Sequence, residues 1–350
     1  MKQTENVFQM LPGVLLPWYQ KNKRDLPWRE DADPYHIWLS EIMLQQTRVE
    51  AVKGYYSAFL RALPNIDALS KADDALLHKL WEGLGYYSRV RNLKKAAQII
   101  MSDHGGRMPR DHDAVRKLPG IGPYTAGAVC SIAFGMKTPA VDGNVLRVIS
   151  RLTDDDTPVD RPSYKAFVQQ QLEKIYPQQA GDFTQALMEL GATVCGPNKK
   201  PDCPKCPCRE FCIGRMSGRA EQLPARSPKK DRREEAYTVF LLSCEGKYAL
   251  RKRPNKGLLA GLWEFPNVPG KLDTDAIIEQ VEHMSLNAKE ILRTVERKHV
   301  FTHVQWDMRG AYLETAEMGG DFTWLTPAEI SGQAALPTAF RIFWDEIKHI

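Results

Sequence analysis

A chain of 350 residues is long enough for about two domains of typical size, each with its own buried core, which excludes a single small scaffold. Composition is that of an ordinary globular chain, 43% apolar and 26% charged with 24 glycines and 23 prolines, and no run of about 18 apolar residues is present, so a membrane protein is not expected. The formal net charge of +5 is concentrated: Arg215, Arg219, Arg226, Lys229, Lys230, Arg232 and Arg233 against Glu221 and Asp231 hold the whole excess.

The N-terminal apolar patch is broken by Pro12, Gly13 and Pro17 and is followed by no small-residue cleavage site, so no export signal is expected and the protein is placed in the cytoplasm. From there to about residue 213, apolar residues recur at helical spacing between short Gly and Pro breaks, which predicts a region that is nearly all helix. One helix is placed closely. Asp33 is a good N-cap, Pro34 suits the first helical position, and Tyr35, Trp38, Leu39, Ile42 and Met43 follow at i, i+3, i+4, i+7 and i+8. Glu41 lies off this stripe, in line with Ile37 and Leu44. A carboxyl among apolar neighbours loses hydration in its charged form, so it can hold a proton near neutral pH and act as a general acid. A solvated helix face is the alternative reading.

Further along, Leu118-Pro119-Gly120-Ile121-Gly122-Pro123-Tyr124-Thr125 lies between two helical stretches. Gly120 and Gly122 permit positive φ and close backbone approach, so their amides, with those opening the next helix, can converge on a phosphate; a helix C-cap and tight turn is the plainer reading. Asp142 opens another helix, with Val145, Leu146, Val148, Ile149 and Leu152 as its apolar pattern. As an N-cap it accepts amide hydrogen bonds at the positive end of a helix, which is expected to hold it anionic and able to stabilise positive charge on a substrate. A protonated Glu41 and an ionised Asp142 would be the division of labour by which paired carboxylates cleave glycosidic bonds.

Seven cysteines are present, and Cys195, Cys203, Cys206 and Cys212 are spaced Cys-x7-Cys-x2-Cys-x5-Cys with no histidine nearby. Such crowding without an export signal favours metal ligation over disulfides. Thiolate-only tetrahedral sites hold zinc or iron–sulfur; a single Cys-x2-Cys knuckle with one ligand on either side favours a [4Fe–4S] cluster and leaves zinc open. Cys208 lies inside the same run. The basic stretch from Gly214 to Arg233 reads as a solvated linker whose charge could lie against DNA. Beyond it the texture changes: strands are predicted at Tyr237–Ser243, Lys247–Arg251 and Val300–Met308, the first two joined as a hairpin at Glu245-Gly246, with helices at Thr274–Met284 and at a C-terminal stripe of Phe340, Phe343, Trp344 and Ile347.

Taken together, these residues resemble the helix-hairpin-helix DNA glycosylase superfamily, and the match to its adenine DNA glycosylase branch, the MutY type, is close over nearly the whole chain. The carriers are Leu26-Pro27-Trp28-Arg29, Trp38-Leu39-Ser40-Glu41-Ile42-Met43-Leu44-Gln45-Gln46-Thr47, Gly83-Leu84-Gly85-Tyr86-Tyr87-Ser88-Arg89, the 118–125 hairpin, Val141-Asp142-Gly143-Asn144 and the cysteine run. The resemblance implies a multidomain protein: an all-α, two-lobed helix-hairpin-helix glycosylase domain (1–213) with a [4Fe–4S] cluster loop (195–212), a basic linker (214–235), and a C-terminal α+β Nudix-like domain (236–350). It implies a monomeric, nucleoid-associated enzyme acting on double-stranded DNA, flipping adenine out of a mispair with 8-oxoguanine or guanine and hydrolysing its N-glycosidic bond.

On that resemblance Glu41 protonates the adenine and Asp142 supports the oxocarbenium-like sugar, with Tyr124 and Asn144 as polar neighbours. Trp28 and Arg29 belong to the DNA-binding set; Gln46, Thr47 and Leu84 touch the orphaned base, Tyr86 wedges the duplex and Gln185 faces the adenine. The related endonuclease III branch carries a Schiff-base lysine where this chain has Tyr124, so backbone cleavage is not expected. The family spacing between the first two cysteines is six residues; here it is seven. In the C-terminal part the Nudix positions that hold Mg²⁺ are occupied, counting from Gly270, by Ala276, Met284, Ser285, Ala288 and Lys289, so pyrophosphate hydrolysis is not expected. A reader of the base opposite adenine remains, with Phe301-Thr302-His303 resembling the family's Phe-Ser-His motif. A non-catalytic, metal-stabilised DNA-binding module and a bifunctional glycosylase–lyase are the competing readings.

Overall fold

The structure is a computed structural model and describes residues 2–197, 200–228, 231–254 and 256–347, for residues 2 and 3 the backbone only. By its contacts the chain divides into two units, one of residues up to 72 with 92–228, the other of residues 73–91 with 229–350. Its helices are, in order, α1 (Lys2–Asn22), α2 (Pro34–Leu44), α3 (Val49–Ala62), α4 (Ile66–Lys71), α5 (Asp74–Leu80), α6 (Ser88–Asp103), α7 (His112–Lys117), α8 (Pro123–Phe134), α9 (Gly143–Thr153), α10 (Pro162–Glu173), α11 (Ala180–Thr193) and α12 (Ile213–Met216). No strand occurs among the described residues of the first unit, and no described helix of the chain is long and apolar enough to cross a membrane.

The N-terminal patch is one continuous helix through Pro12 and Pro17. Each internal proline costs about 3 kcal/mol of helix stability. Offsetting this, Val7, Phe8, Leu11, Leu15 and Tyr19 are all buried in a core shared with α9, α10 and α11. Helix α2 begins as expected, with Asp33 accepting from the Tyr35 amide at 2.7 Å, and every residue from Tyr35 to Met43 except His36 is buried. It packs on α8, which in turn packs on α11. The approach of α8 to the following loop needs a glycine: a Cβ on Gly127 would stand 2.2 Å from the Pro139 carbonyl oxygen. The α8–α11 contact is fixed by a buried hydroxyl chain, Thr184 Oγ1 donating to Ser131 Oγ at 2.8 Å and Thr184 Oγ1 lying 2.6 Å from Tyr176 Oη.

The basic stretch departs from expectation over 214–228. Its composition suggests a solvated linker, yet Ala220 and Leu223 are buried, Leu223 O accepts from Arg151 Nε at 2.9 Å, Ala225 O accepts from the Val159 amide at 3.1 Å, and Arg219 pairs with Asp156. Arg151 on α9, which needs a carbonyl partner, and the Val159 amide hold this segment onto the helical unit. Lys229 and Lys230 lie outside the described residues.

The second unit is a seven-stranded mixed sheet of β1 (Arg233–Cys244), β2 (Lys247–Lys252), β3 (Trp263–Glu264), β4 (Asn267–Pro269), β5 (Ala288–Val300), β6 (Val304–Thr315) and β7 (Thr323–Leu325). The order is β3-β2-β1-β6-β5, with β4 on β1 and β7 on β2; β1 and β6 run parallel and every other pair antiparallel. Glu245 and Gly246, both at positive φ, make the tight turn of the expected β1–β2 hairpin. The predicted strand Val300–Met308 is instead a turn at 301–303 between two long strands, closed by the Phe301 amide donating to Val304 O at 2.8 Å. Helix α13 (Thr274–His283) covers one face of the sheet; α14 (Pro327–Gln333) and α15 (Thr338–Trp344) cover the other, where Phe340, Phe343, Trp344 and Ile347 are buried.

Two glycines test the packing in opposite directions. Gly54 on α3 is exposed with nothing within 4 Å of an added Cβ, so Gly54→Ala is expected to raise stability by about 0.5–1 kcal/mol through helix propensity. On Gly214 a Cβ would stand 2.4 Å from Arg151 O, so Gly214→Ala is expected to lower stability by about 1–3 kcal/mol. Urea unfolding of both variants checks the pair.

Candidate active site

Glu41 is held where α2 is apolar all round, and it is only 6% exposed. Tyr124 stands in the first turn of α8, whose N-cap is Gly122 and first residue Pro123, so its ring points at α2. Its hydroxyl donates to Glu41 Oε2 at 2.5 Å and lies 3.8 Å from Met188 Sδ on α11. Burial pushes the Glu41 carboxyl up to about 7; the Tyr124 hydrogen bond opposes this, the Asp142 charge adds to it, and Arg29 opposes it. Burial, with Glu41 beside it, also drives the Tyr124 hydroxyl well above its ordinary range.

Asp142 caps α9, its Oδ1 accepting from the Val145 amide at 2.7 Å and its Oδ2 from Asn144 Nδ2 at 2.6 Å. Asn144 Oδ1 in turn accepts from Arg147 Nη2 at 2.8 Å, and Arg147 Nε donates to Cys195 O at 2.9 Å. The cap was expected to hold Asp142 anionic. The Val145, Asn144 and Arg147 contributions do pull its pKa down, but burial outweighs them and the net direction is upward.

Glu41, Tyr124, Asp142 and Asn144 line one pocket of the first unit together with Trp28, Arg29, Gln46, Thr47 and Gln185. Trp28 is buried edge-on against Tyr56, with ring centroids 5.6 Å apart. The sequence reading passed over Glu189, which also lines this pocket and is fully buried. Burial alone would raise it. Arg24, donating to Oε1 at 2.7 Å and Oε2 at 3.0 Å, and Arg29, donating to Oε2 at 2.8 Å, hold it below its ordinary value instead. A signal was available: Glu189 is the one acid in the apolar run Ala186-Leu187-Met188-Glu189-Leu190. Arg147 and Met188 were likewise missed.

Other expected site residues lie elsewhere. Gly120, at φ +78°, makes the α7–α8 turn, where a Cβ would stand 2.7 Å from Asn92 Cβ; Gly122 has φ −91°, so the left-handed backbone expected of it is not needed. Leu84 and Tyr86 belong to the second unit, Leu84 buried and Tyr86 46% exposed. There the Tyr86 hydroxyl lies 2.8 Å from Thr302 Oγ1. Thr302 and His303 are exposed, whereas Phe301 is half-buried against Trp306 and His299, at centroid distances of 4.9 and 4.6 Å.

Cys195, Cys203, Cys206 and Cys212 line a second pocket of the first unit, walled by Val148, Leu152 and Leu190 and rimmed by Arg151, Arg209 and Arg215. Arg151 Nη1 donates to Cys195 Sγ at 3.2 Å. Cys208 lies in the apolar core and does not line this pocket. Among the described residues no three His, Cys, Asp or Glu side chains are drawn together as around a single ion. The donor set nevertheless suits a metal–sulfur group: four thiols around one space, apolar walls, and a guanidinium donating to sulfur.

Residues 39–178 match the family of HhH-GPD superfamily base excision DNA repair proteins, and residues 238–346 match a NUDIX domain. Among solved structures, that of a thermostable thymine-DNA glycosylase is 31% identical with a TM-score of 0.55, covering 61% of this chain and 99% of that one. Fold and site therefore define a base excision repair DNA N-glycosylase, a hydrolase of N-glycosyl bonds. The chain is 34% identical to the adenine DNA glycosylase of Homo sapiens over 95% of its own length and 73% of that protein, and 33% identical to that of Buchnera aphidicola subsp. Acyrthosiphon pisum (strain APS) over 86% and 84%. It belongs to the adenine DNA glycosylase family.

The Glu41 environment has a measurable cost. Its folded pKa of about 7 exceeds the ordinary 4.5, so between these values the folded state binds more protons than the unfolded one and stability falls as pH rises. Glu41→Gln is therefore expected to be more stable than the parent by roughly 3 kcal/mol at pH 8 and about equal to it at pH 4. Urea unfolding at both pH values checks this; a parallel pH dependence of parent and variant would show Glu41 to be solvated.

Proposed function

We propose that the protein removes adenine paired opposite 8-oxoguanine or guanine in duplex DNA, leaving an intact abasic strand. The observation that carries this reading is one pocket in which a buried Glu41 with a raised pKa, the Tyr124 hydroxyl and Asp142 are neighbours. Glu41, protonated near neutral pH, delivers a proton to the adenine ring and makes it a leaving group. As the glycosidic bond lengthens, the sugar gains positive charge, and this charge favours the ionised form of Asp142 that burial alone resists. Tyr124 holds Glu41 Oε2 and so fixes that carboxyl through one oxygen, while Asp142 is held at both, Oδ1 by the Val145 amide and Oδ2 by Asn144. Tyr124 carries no amine, so the sugar carbon is attacked by water and no Schiff base forms.

In the same reading Gln185 faces the adenine, Trp28 and Arg29 serve DNA binding, Gln46, Thr47 and Leu84 touch the orphaned base, and the 118–125 turn with Gly120 and Gly122 meets a phosphate. The exposed Tyr86 wedges the duplex, and Phe301, Thr302 and His303 read the base opposite adenine. The Tyr86–Thr302 contact supports this by bringing wedge and reader to one place. The half-buried, stacked Phe301 gives the turn a foot, leaving Thr302 and His303 as its reading edge. The protein would act as a monomer on the nucleoid.

Cys195, Cys203, Cys206 and Cys212 would hold a [4Fe–4S] cluster. When bound, it supplies a cross-link for the 195–212 loop, since glycosidic hydrolysis needs no electron.

Two measurements test these assignments. A duplex with adenine opposite 8-oxoguanine, incubated with the protein and then treated with hot alkali, should break at the adenine; Glu41→Gln should slow base release by at least about 10²-fold while still binding the mispair. Near-normal turnover in that variant would remove Glu41 from its role. Protein purified in air should be yellow-brown with about four irons per chain. Colourless protein with one zinc would overturn the cluster assignment.

A further inference from the structure

The cations that line the Glu41 pocket divide into two groups. Arg24 and Arg29 are bound to Glu189, and Arg147 is tied to Asn144, Gly191 O and Cys195 O. Arg226 and Lys165 line the same pocket, are exposed, and make no ion pair among the described residues. Arg226 is no loose end of a linker. The residue before it accepts the Val159 amide through Ala225 O at 3.1 Å, and the residue after it donates its amide, Ser227 N, to Asp160 Oδ1 at 2.9 Å. These two bonds fix the backbone on both sides of the guanidinium, and Val159 and Asp160 are themselves pocket residues. Lys165 stands in the first turns of α10, which begins at Pro162.

The chemistry of the pocket demands such a pair. Glu41, Asp142, Asp160 and Glu189 line it, so an entering nucleotide brings a phosphodiester charge on each side of its sugar towards four carboxyl groups. The base must pass inward to reach the buried Glu41, while the phosphates stay at the exposed mouth. We propose that Arg226 and Lys165 are a phosphate clamp at that mouth, gripping the DNA backbone on either side of the nucleotide whose base enters the pocket. The inference rests on the reading of this pocket given above. It also assigns a task to the basic run that holds the chain's net charge: Arg215 faces the cysteine pocket, Arg219 pairs with Asp154 and Asp156, and Arg226 lines the Glu41 pocket.

The test uses the full chain and a duplex carrying a tetrahydrofuran abasic analogue opposite 8-oxoguanine, which binds without being consumed. Dissociation constants are measured over a series of salt concentrations. Removing one cation from a phosphate should make the log–log salt slope shallower by about 0.9, so Arg226→Gln and Lys165→Gln should each flatten it by that amount and the double variant by about 1.8. Arg226→Lys, which keeps a point charge at the same fixed backbone, should restore the parent slope. Lys289→Gln, in the second unit and paired with Glu314, should leave it unchanged. Parent slopes in both single variants would overturn the clamp while leaving the glycosylase reading intact; a parent protein that releases no adenine would overturn that reading, whatever the slopes.

Discussion

The hydrogen bond from the Tyr124 hydroxyl to the Glu41 carboxyl is the contact around which the helical unit is arranged. It spans 2.5 Å between α2 and α8, and neither partner would be stable in its place alone, since a buried carboxyl or phenol without a partner costs several kcal/mol. To keep it, α2 must be apolar all round, so that no water competes for the carboxyl. Helix α8 must also approach its neighbours closely, which Gly127 permits against Pro139 and which the Ser131–Thr184–Tyr176 hydroxyls secure against α11.

Two glutamates in one pocket then show how environment, and not residue type, sets charge. Glu41 and Glu189 are both buried. One has a phenol for a partner and rises to about 7; the other has two guanidinium groups and falls below its ordinary value. The first can hold a proton at neutral pH, the second cannot. Because Glu189 binds Arg24 and Arg29, those arginines temper the pocket without fully neutralising Glu41, which keeps an acid available there. Asp142 has amide donors as its direct partners and Arg147 beyond them, and burial still carries it upward.

The second unit matches a NUDIX domain over residues 238–346 and is a mixed sheet with helices on both faces. A long parallel β1–β6 pair carries the 301–303 turn at one end, and the aromatic contacts of Phe301 with Trp306 and His299 stiffen it. Residues 73–91, although embedded in the helical part of the sequence, make their contacts in this unit: Glu82 accepts from the Leu336 amide and pairs with Arg341. Sequence order thus disguises which residues work together, and Tyr86 and Thr302 are the clearest instance.

Local patterns determined a great deal here. Asp33-Pro34 starts α2 and Asp142 caps α9 because capping needs only a side-chain acceptor two or three residues from a free amide, and Glu245-Gly246 turns the hairpin because both must adopt positive φ. The suspicion that Glu41 is desolvated also came from spacing alone, since a helix brings i−4 and i+3 neighbours beside it. What spacing could not supply was any quantity that depends on residues far apart in the chain. Whether Pro12 and Pro17 break a helix is decided by the core that α1 joins, and whether a basic stretch is a free linker is decided by whether its carbonyls meet a donor such as Arg151 on α9. The directions in which the Asp142 and Glu189 carboxyls shift were beyond it for the same reason. A cap pulls a carboxyl down by an amount visible in sequence, but desolvation and two arginines 160 and 165 residues away set the outcome, and both exist only once the helices have packed.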